Sequence, residues 1–170
     1  MIAYKLFKAY KDGTLHPLYV DTKEIIPIGE WVYAKSGPRT SNGKVKSKLG
    51  ELAYRPGLHC TEIPLADHIG KRQPDGSLWQ SKDTVWCEVE IPNNDLTGYI
   101  RDLHKGKPLR EQYFRGIPVD GYYWYQTNTS AKVRWLIAGK IKVNKILSDE
   151  EVVQLCLKAG VKPQPVEKRN

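Results

Sequence analysis

Between Thr84 and Ile91 the chain alternates Val85, Cys87, Val89 and Ile91 against Trp86, Glu88 and Glu90. A period of two over that length describes a β-strand with one buried face. A strand of this kind needs neighbours on its edges, and the flanking sequence offers them. Ile2 to Tyr10 and Thr14 to Val20 are rich in aromatic and β-branched residues and meet at Lys11-Asp12-Gly13, where Asp-Gly supplies the positive φ of a tight hairpin. Glu24 to Ala34 forms a further extended region with Trp31 and Tyr33 on one side, and Pro27 marks it as an edge.

Lys132 to Leu147 reads as a long strand or a pair of strands. Val133, Trp135, Ile137, Ile141 and Val143 fall on one parity, and Arg134, Lys140 and Lys142 form a cationic stripe on the other. Ser148-Asp-Glu-Glu151 is a capping box with acids at the positive end of a helix dipole. Val152, Leu155, Cys156 and Ala159 then recur at helical spacing, and Gly160 stops the helix. The expected fold is α+β: a single domain over residues 1–162, mostly antiparallel twisted sheet, with a few short helices and a C-terminal helix packed on it. Residues 163–170 are expected to be a flexible tail.

The chain has 170 residues, enough to bury a real core, and its net charge of +8 favours nucleic acids, nucleotides or an acidic protein partner. No run of eighteen apolar residues occurs, and Met1 to Tyr10 lacks the apolar region of a signal peptide, so neither membrane insertion nor signal-peptide secretion is expected. Three widely spaced cysteines, Cys60, Cys87 and Cys156, suit reduced thiols in a cytoplasm. A metal site from His59, Cys60, His68 and Cys87 lacks paired-ligand spacing, and no metal is expected.

Leu52 to Ile69 crowds Tyr54, Arg55, His59, Cys60 and His68 around Pro56-Gly57. A residue before proline is extended, so the Arg55 guanidinium is thrown sideways, and the Gly57 break brings it beside His59. Leu58 and Cys60 then face the core and His59 faces away, pairing a permanent cation with a group titrating near neutrality. Leu65 to Ile69 reads as a short helical turn. Cys60 with His68 has the composition of a nucleophilic pair, but an inward thiol is inert.

Two further stretches complete a binding surface. Lys35 to Gly50 holds five basic residues and no acid, and reads as a mobile basic loop whose Arg39, Lys44 and Lys46 are candidate phosphate contacts. Tyr122-Tyr-Trp-Tyr125 alternates, so Tyr122 with Trp124 and Tyr123 with Tyr125 point to opposite sides, and one pair is free to stack on bases. The candidate binding residues are Arg55, His59, His68, Tyr123, Tyr125, Arg134, Lys140 and Lys142.

Lys5-Leu-Phe-Lys8, Pro27-Ile-Gly-Glu-Trp31, Tyr54-Arg-Pro-Gly-Leu-His-Cys-Thr61, Val85-Trp-Cys-Glu-Val-Glu-Ile91 and Trp135-Leu-Ile-Ala-Gly-Lys-Ile-Lys142 together resemble a family of small uncharacterised proteins encoded by bacteriophages and prophage-like elements. The family pattern is similar to Arg-Pro-Gly-Trp-His-Cys, and here Leu58 replaces the tryptophan. The resemblance implies a phage origin, with the host cytoplasm or the virion as location, and carries no activity. The expectation is a small basic protein that binds nucleic acid, a nucleotide or a host defence component, with no cofactor. A virion structural or assembly protein fits the same features.

An enzyme is the other class. Gly57-Leu-His59-Cys-Thr61, a short helix with Ala66 and the strand Val85 to Ile91 loosely resemble the core of ADP-ribosyltransferase-like folds. That likeness implies NAD, with Arg55 and His59 on pyrophosphate or ribose, Tyr123 or Tyr125 on the nicotinamide, and Glu88, Glu90 or Glu111 as the acid.

Overall fold

The computed structural model describes residues 1–35, 45–47, 50–52, 55–126 and 131–170. Its strands are β1 Ile2–Ala9, β2 Leu15–His16, β3 Trp31–Tyr33, β4 Val45–Ser47, β5 Gly50–Leu52, β6 Leu58–Thr61, β7 Lys71–Arg72, β8 Leu78–Trp79, β9 Thr84–Glu90, β10 Tyr122–Tyr125, β11 Trp135–Ala138 and β12 Lys140–Ile146. The helices are α1 Thr97–Leu103 and α2 Asp149–Lys158, with a 3-10 turn at Leu109–Glu111. The main sheet runs β10-β11-β6-β1-β9-β12-β3, with β2 beside β1, and each of its strand pairings is antiparallel. This is the expected α+β class.

The alternating segment, β9, sits centrally. It pairs with β1 from Ile2↔Glu90 to Lys8↔Thr84, and with β12 on its other edge. Its Cys87, Val89 and Ile91 pack with Ala3, Phe7, Cys60, Leu136, Ala138, Ile141 and Val143 into the inner core. Trp86 points the other way, and with Leu6 it packs under Val152 and Cys156 of α2. The capping box forms as read: Glu151 N donates to Ser148 Oγ at 3.1 Å and Ser148 N to Glu151 Oε1 at 3.2 Å. Ser148→Ala removes one of these bonds and is expected to cost about 1 kcal/mol in urea denaturation.

The first hairpin is shorter than expected. β2 spans only Leu15–His16, because Pro17 has no N–H to continue the ladder. Leu65 to Ile69 contains no helix; it makes a single turn at Asp67-His68, closed by Ile69 N donating to Ala66 O at 3.0 Å. The C-terminal segment is held, where fraying was expected. Gln80 N donates to Pro165 O at 2.8 Å, Glu167 N to Gln80 O at 3.0 Å, and Arg169 grips both Asp149 oxygens at 2.8 and 2.9 Å.

β11 and β12 are one run of chain broken by a corner at Gly139, and the corner resets the alternation. Leu136 and Ala138 face the inner core before it, Ile141 and Val143 after it. A Cβ at Gly139 would land on the backbone of Pro118 and Val119, so only glycine fits. The corner also gathers the two ends of the sheet, since Gly139 N donates to Gly121 O at 3.2 Å and Gly139 O accepts from Ala34 N at 2.9 Å. Among the described residues no helix is long and apolar enough to cross a membrane.

Candidate nucleic-acid interface

The bend at Pro56-Gly57 delivers the arrangement that Arg55 needs. Gly57 has φ +138°, a left-handed conformation, and a Cβ there would meet the Ile137 side chain and the Ala138 carbonyl. After it, β6 pairs with β11 and β11 with β10, so His59↔Ile137↔Tyr123 form one row and Thr61↔Trp135↔Tyr125 the next. Directly opposed residues share a face. Arg55 folds back over that face, its Cζ 4.8 Å from the Tyr125 ring and 5.2 Å from the Tyr113 ring. Arg115 stacks on Tyr113 at 5.9 Å, and Arg55 Nη2 donates to Arg110 O at 3.2 Å.

His59 does not titrate near neutrality. Burial first, then the charges of Lys5 and Arg55, push its imidazole down to about 3. The ring is therefore neutral under ordinary conditions and acts as a dipole rather than a cation. Lys5, whose ammonium burial pushes down, donates to the His59 carbonyl at 2.7 Å. His59 and His68 approach Trp135 edge-on, at 6.3 and 5.5 Å between ring centroids. His68 is exposed.

The thiols give no nucleophile. Cys60 is buried and burial pushes it up to about 11, with Cys87 up to about 12. Among the described residues no group of three or more His, Cys, Asp or Glu side chains is placed to hold a metal ion. Glu90 pairs with Lys142 at 3.2 Å and Glu88 accepts from Asn144 at 3.2 Å. Both lie on β9, separated from the His59 strand by β1. Glu111 is on the exposed turn next to Arg110.

The cationic stripe is split by Gly139. Arg134, on the near side of the corner, donates to Glu62 at 2.8 and 3.0 Å and lies over Trp124 at 4.6 Å, with Arg101 over the same ring at 4.2 Å. One oxygen, Oε2, accepts from both guanidinium nitrogens, and Oε1 accepts from the Arg134 backbone N–H at 3.3 Å. Lys140 and Lys142 lie on the far side and face outward. Of the loop candidates, Arg39 and Lys44 lie outside the described residues, and Lys46 is on β4.

The outward lysines gain neighbours that neither segment reveals alone. β12 pairs with β3 in the register Lys140↔Tyr33 and Lys142↔Trp31. Trp31 is 37% exposed and Tyr33 59%. Lys140 Nζ sits 4.7 Å from the Trp31 ring and 5.8 Å from the Tyr33 ring, and Lys142 Nζ 5.3 Å from Trp31. Two open rings two residues apart on a strand are spaced by about 6.6 Å, and each has an ammonium beside it. The signal in the sequence was a pair of i, i+2 aromatics and a pair of i, i+2 lysines. Their registration across more than a hundred residues was not readable. Comparison of the chain with protein-family models, with known proteins and with solved structures gives no match.

Proposed function

We propose that the protein binds single-stranded nucleic acid on the outward face of β3 and β12, with bases on Trp31 and Tyr33 and phosphates beside Lys140 and Lys142. The carrying observation is the exposure of both rings with two ammonium groups between 4.7 and 5.8 Å from them. Base stacking tolerates any sequence because each base has a π face, whereas a duplex hides those faces. Lys142 keeps its Glu90 partner, but an exposed pair contributes about 0–1 kcal/mol and does not hold it from a phosphate. The excess of positive charge supports the same reading. The motif resemblance to bacteriophage-encoded proteins adds a setting, an infected bacterial cytoplasm.

Anisotropy with a labelled oligonucleotide tests this. Trp31→Ala and Tyr33→Ala are each expected to weaken single-strand binding by about 1–3 kcal/mol. Lys140→Gln with Lys142→Gln is expected to flatten the dependence of log K on log salt by about 1.4, at about 0.7 per phosphate contact on a single strand. Equal affinity in all variants would remove this face from the reading.

A further inference from the structure

We propose that the corner formed by Arg55, Tyr123 and His59, at the other end of the sheet from Trp31, is an anion site that takes a phosphoryl group. The first observation is an orphan. The Tyr123 side chain is 1% exposed, and its hydroxyl has no hydrogen-bond partner among the described residues. The backbone amide of Phe114 lies close to the oxygen without bonding geometry. Buried hydroxyls are almost always bonded, so one left alone next to charged groups marks a place for a ligand.

The second observation is charge without compensation. Arg55 and Lys5 both bear on His59, yet among the described residues neither is within ion-pair distance of a carboxylate. The described polar partners of the two cations are backbone carbonyls, Arg110 O and His59 O. Both cations are half-buried, positive charge drawn from water is ordinarily paired, and an anion here would supply what the described residues do not.

The chemistry selects the anion class. A guanidinium presents several N–H donors in a planar fork that matches the oxygens of a phosphoryl group, and among the described residues one nitrogen, Nη2, is committed, to Arg110 O. The Tyr123 hydroxyl adds a neutral donor to a second oxygen. The Tyr113 and Tyr125 rings lie 5.2 and 4.8 Å from the guanidinium carbon, which confines the fork to this corner. The Tyr123 ring packs with Ile100, Ile137, Tyr113 and Phe114, and the Phe114 backbone lies nearest the hydroxyl. Entry of an anion requires the Tyr113–Phe114 segment to shift.

Thermal unfolding in phosphate against chloride, at matched ionic strength and pH, reads the site directly. The midpoint of the wild type is expected to rise with phosphate concentration in a saturable way. Tyr123→Phe is expected to unfold at a higher temperature than wild type without phosphate, because it removes the orphan hydroxyl, and to respond less to phosphate. Arg55→Gln is expected to lose the response. His59 ring proton signals are expected to move on adding phosphate in wild type and in Trp31→Ala, and to stay fixed in Arg55→Gln. Adenosine monophosphate and a 5′-phosphorylated oligonucleotide then distinguish a free nucleotide from a strand end. A midpoint that moves no more than in chloride, or a response kept in both corner variants, overturns the site. Because Trp31→Ala leaves this corner intact, its result stands apart from that of the sheet face.

Discussion

Gly139→Ala is expected to lose about 3 kcal/mol or more of stability, a large part of the roughly 5–15 kcal/mol typical of a domain. The added methyl would meet the carbonyls of Pro118 and Val119. Those are main-chain atoms and cannot rotate away as a side chain would. Relief requires shifting the corner, and the corner carries hydrogen bonds to Gly121 and Ala34 that tie β10 and β3 to it. Gly98→Ala is the control. It sits in α1 with nothing within 4 Å of an added Cβ, and helix propensity predicts a gain of up to about 1 kcal/mol. Urea denaturation of the two variants is expected to give shifts of opposite sign. Equal midpoints for Gly139→Ala and wild type would show that the corner is not tight.

The second large effect is a dependence on acid. His59 has its folded pKa lowered to about 3 from 6.5. Above pH 6.5 the ring is neutral in both the folded and unfolded chain and contributes nothing to the pH slope. As pH falls from 6.5 towards 3 the unfolded chain takes up a proton that the folded chain refuses, so stability declines across that window and levels off below it. At about 1.4 kcal/mol per pH unit the full loss is roughly 3–5 kcal/mol. Carboxylates with depressed values, Asp149 beside Arg169 and Glu151 beside Lys145, lose their contribution in the lower part of the same range. The His59 share is therefore read between pH 6.5 and 5 as the difference in slope between wild type and His59→Gln. The variant is expected to be flatter there, and parallel curves would contradict a neutral, desolvated imidazole.

Much of the fold was legible because its signals are local. Alternation in Thr84 to Ile91 named β9, and the Ser148 to Glu151 box named the start of α2. Alternation also separated Tyr122 and Trp124, which join the inner core, from Tyr123 and Tyr125, which pack with Ile137 on the opposite side. Arg55 lies 4.8 Å from the Tyr125 ring, and its charge reaches His59 and Tyr123. What failed depended on distant contacts. The single parity drawn through Lys132 to Leu147 ignored the reset at Gly139, because the crowding that demands glycine comes from Pro118 and Val119. Arg134 left the lysine stripe for that reason and found Glu62, seventy-two positions away. The ordinary basicity expected of His59 fails because neither its burial nor the approach of Lys5 is visible in the segment around it. The tail was read from composition, while its order rests on Gln80, Asp149 and the Gln164 amide bonds to Ile69 and Leu78.

Photocrosslinking locates a bound strand on the sheet. A single-stranded oligonucleotide carrying 5-bromouracil is irradiated with the full chain, and the adduct is located by peptide mass. Stacking on the outward face of β3 predicts that adducts fall on Trp31 and Tyr33 and vanish with an excess of unlabelled single strand. Adducts confined to Tyr113 or Tyr125, or no adduct at salt low enough for binding, would contradict it.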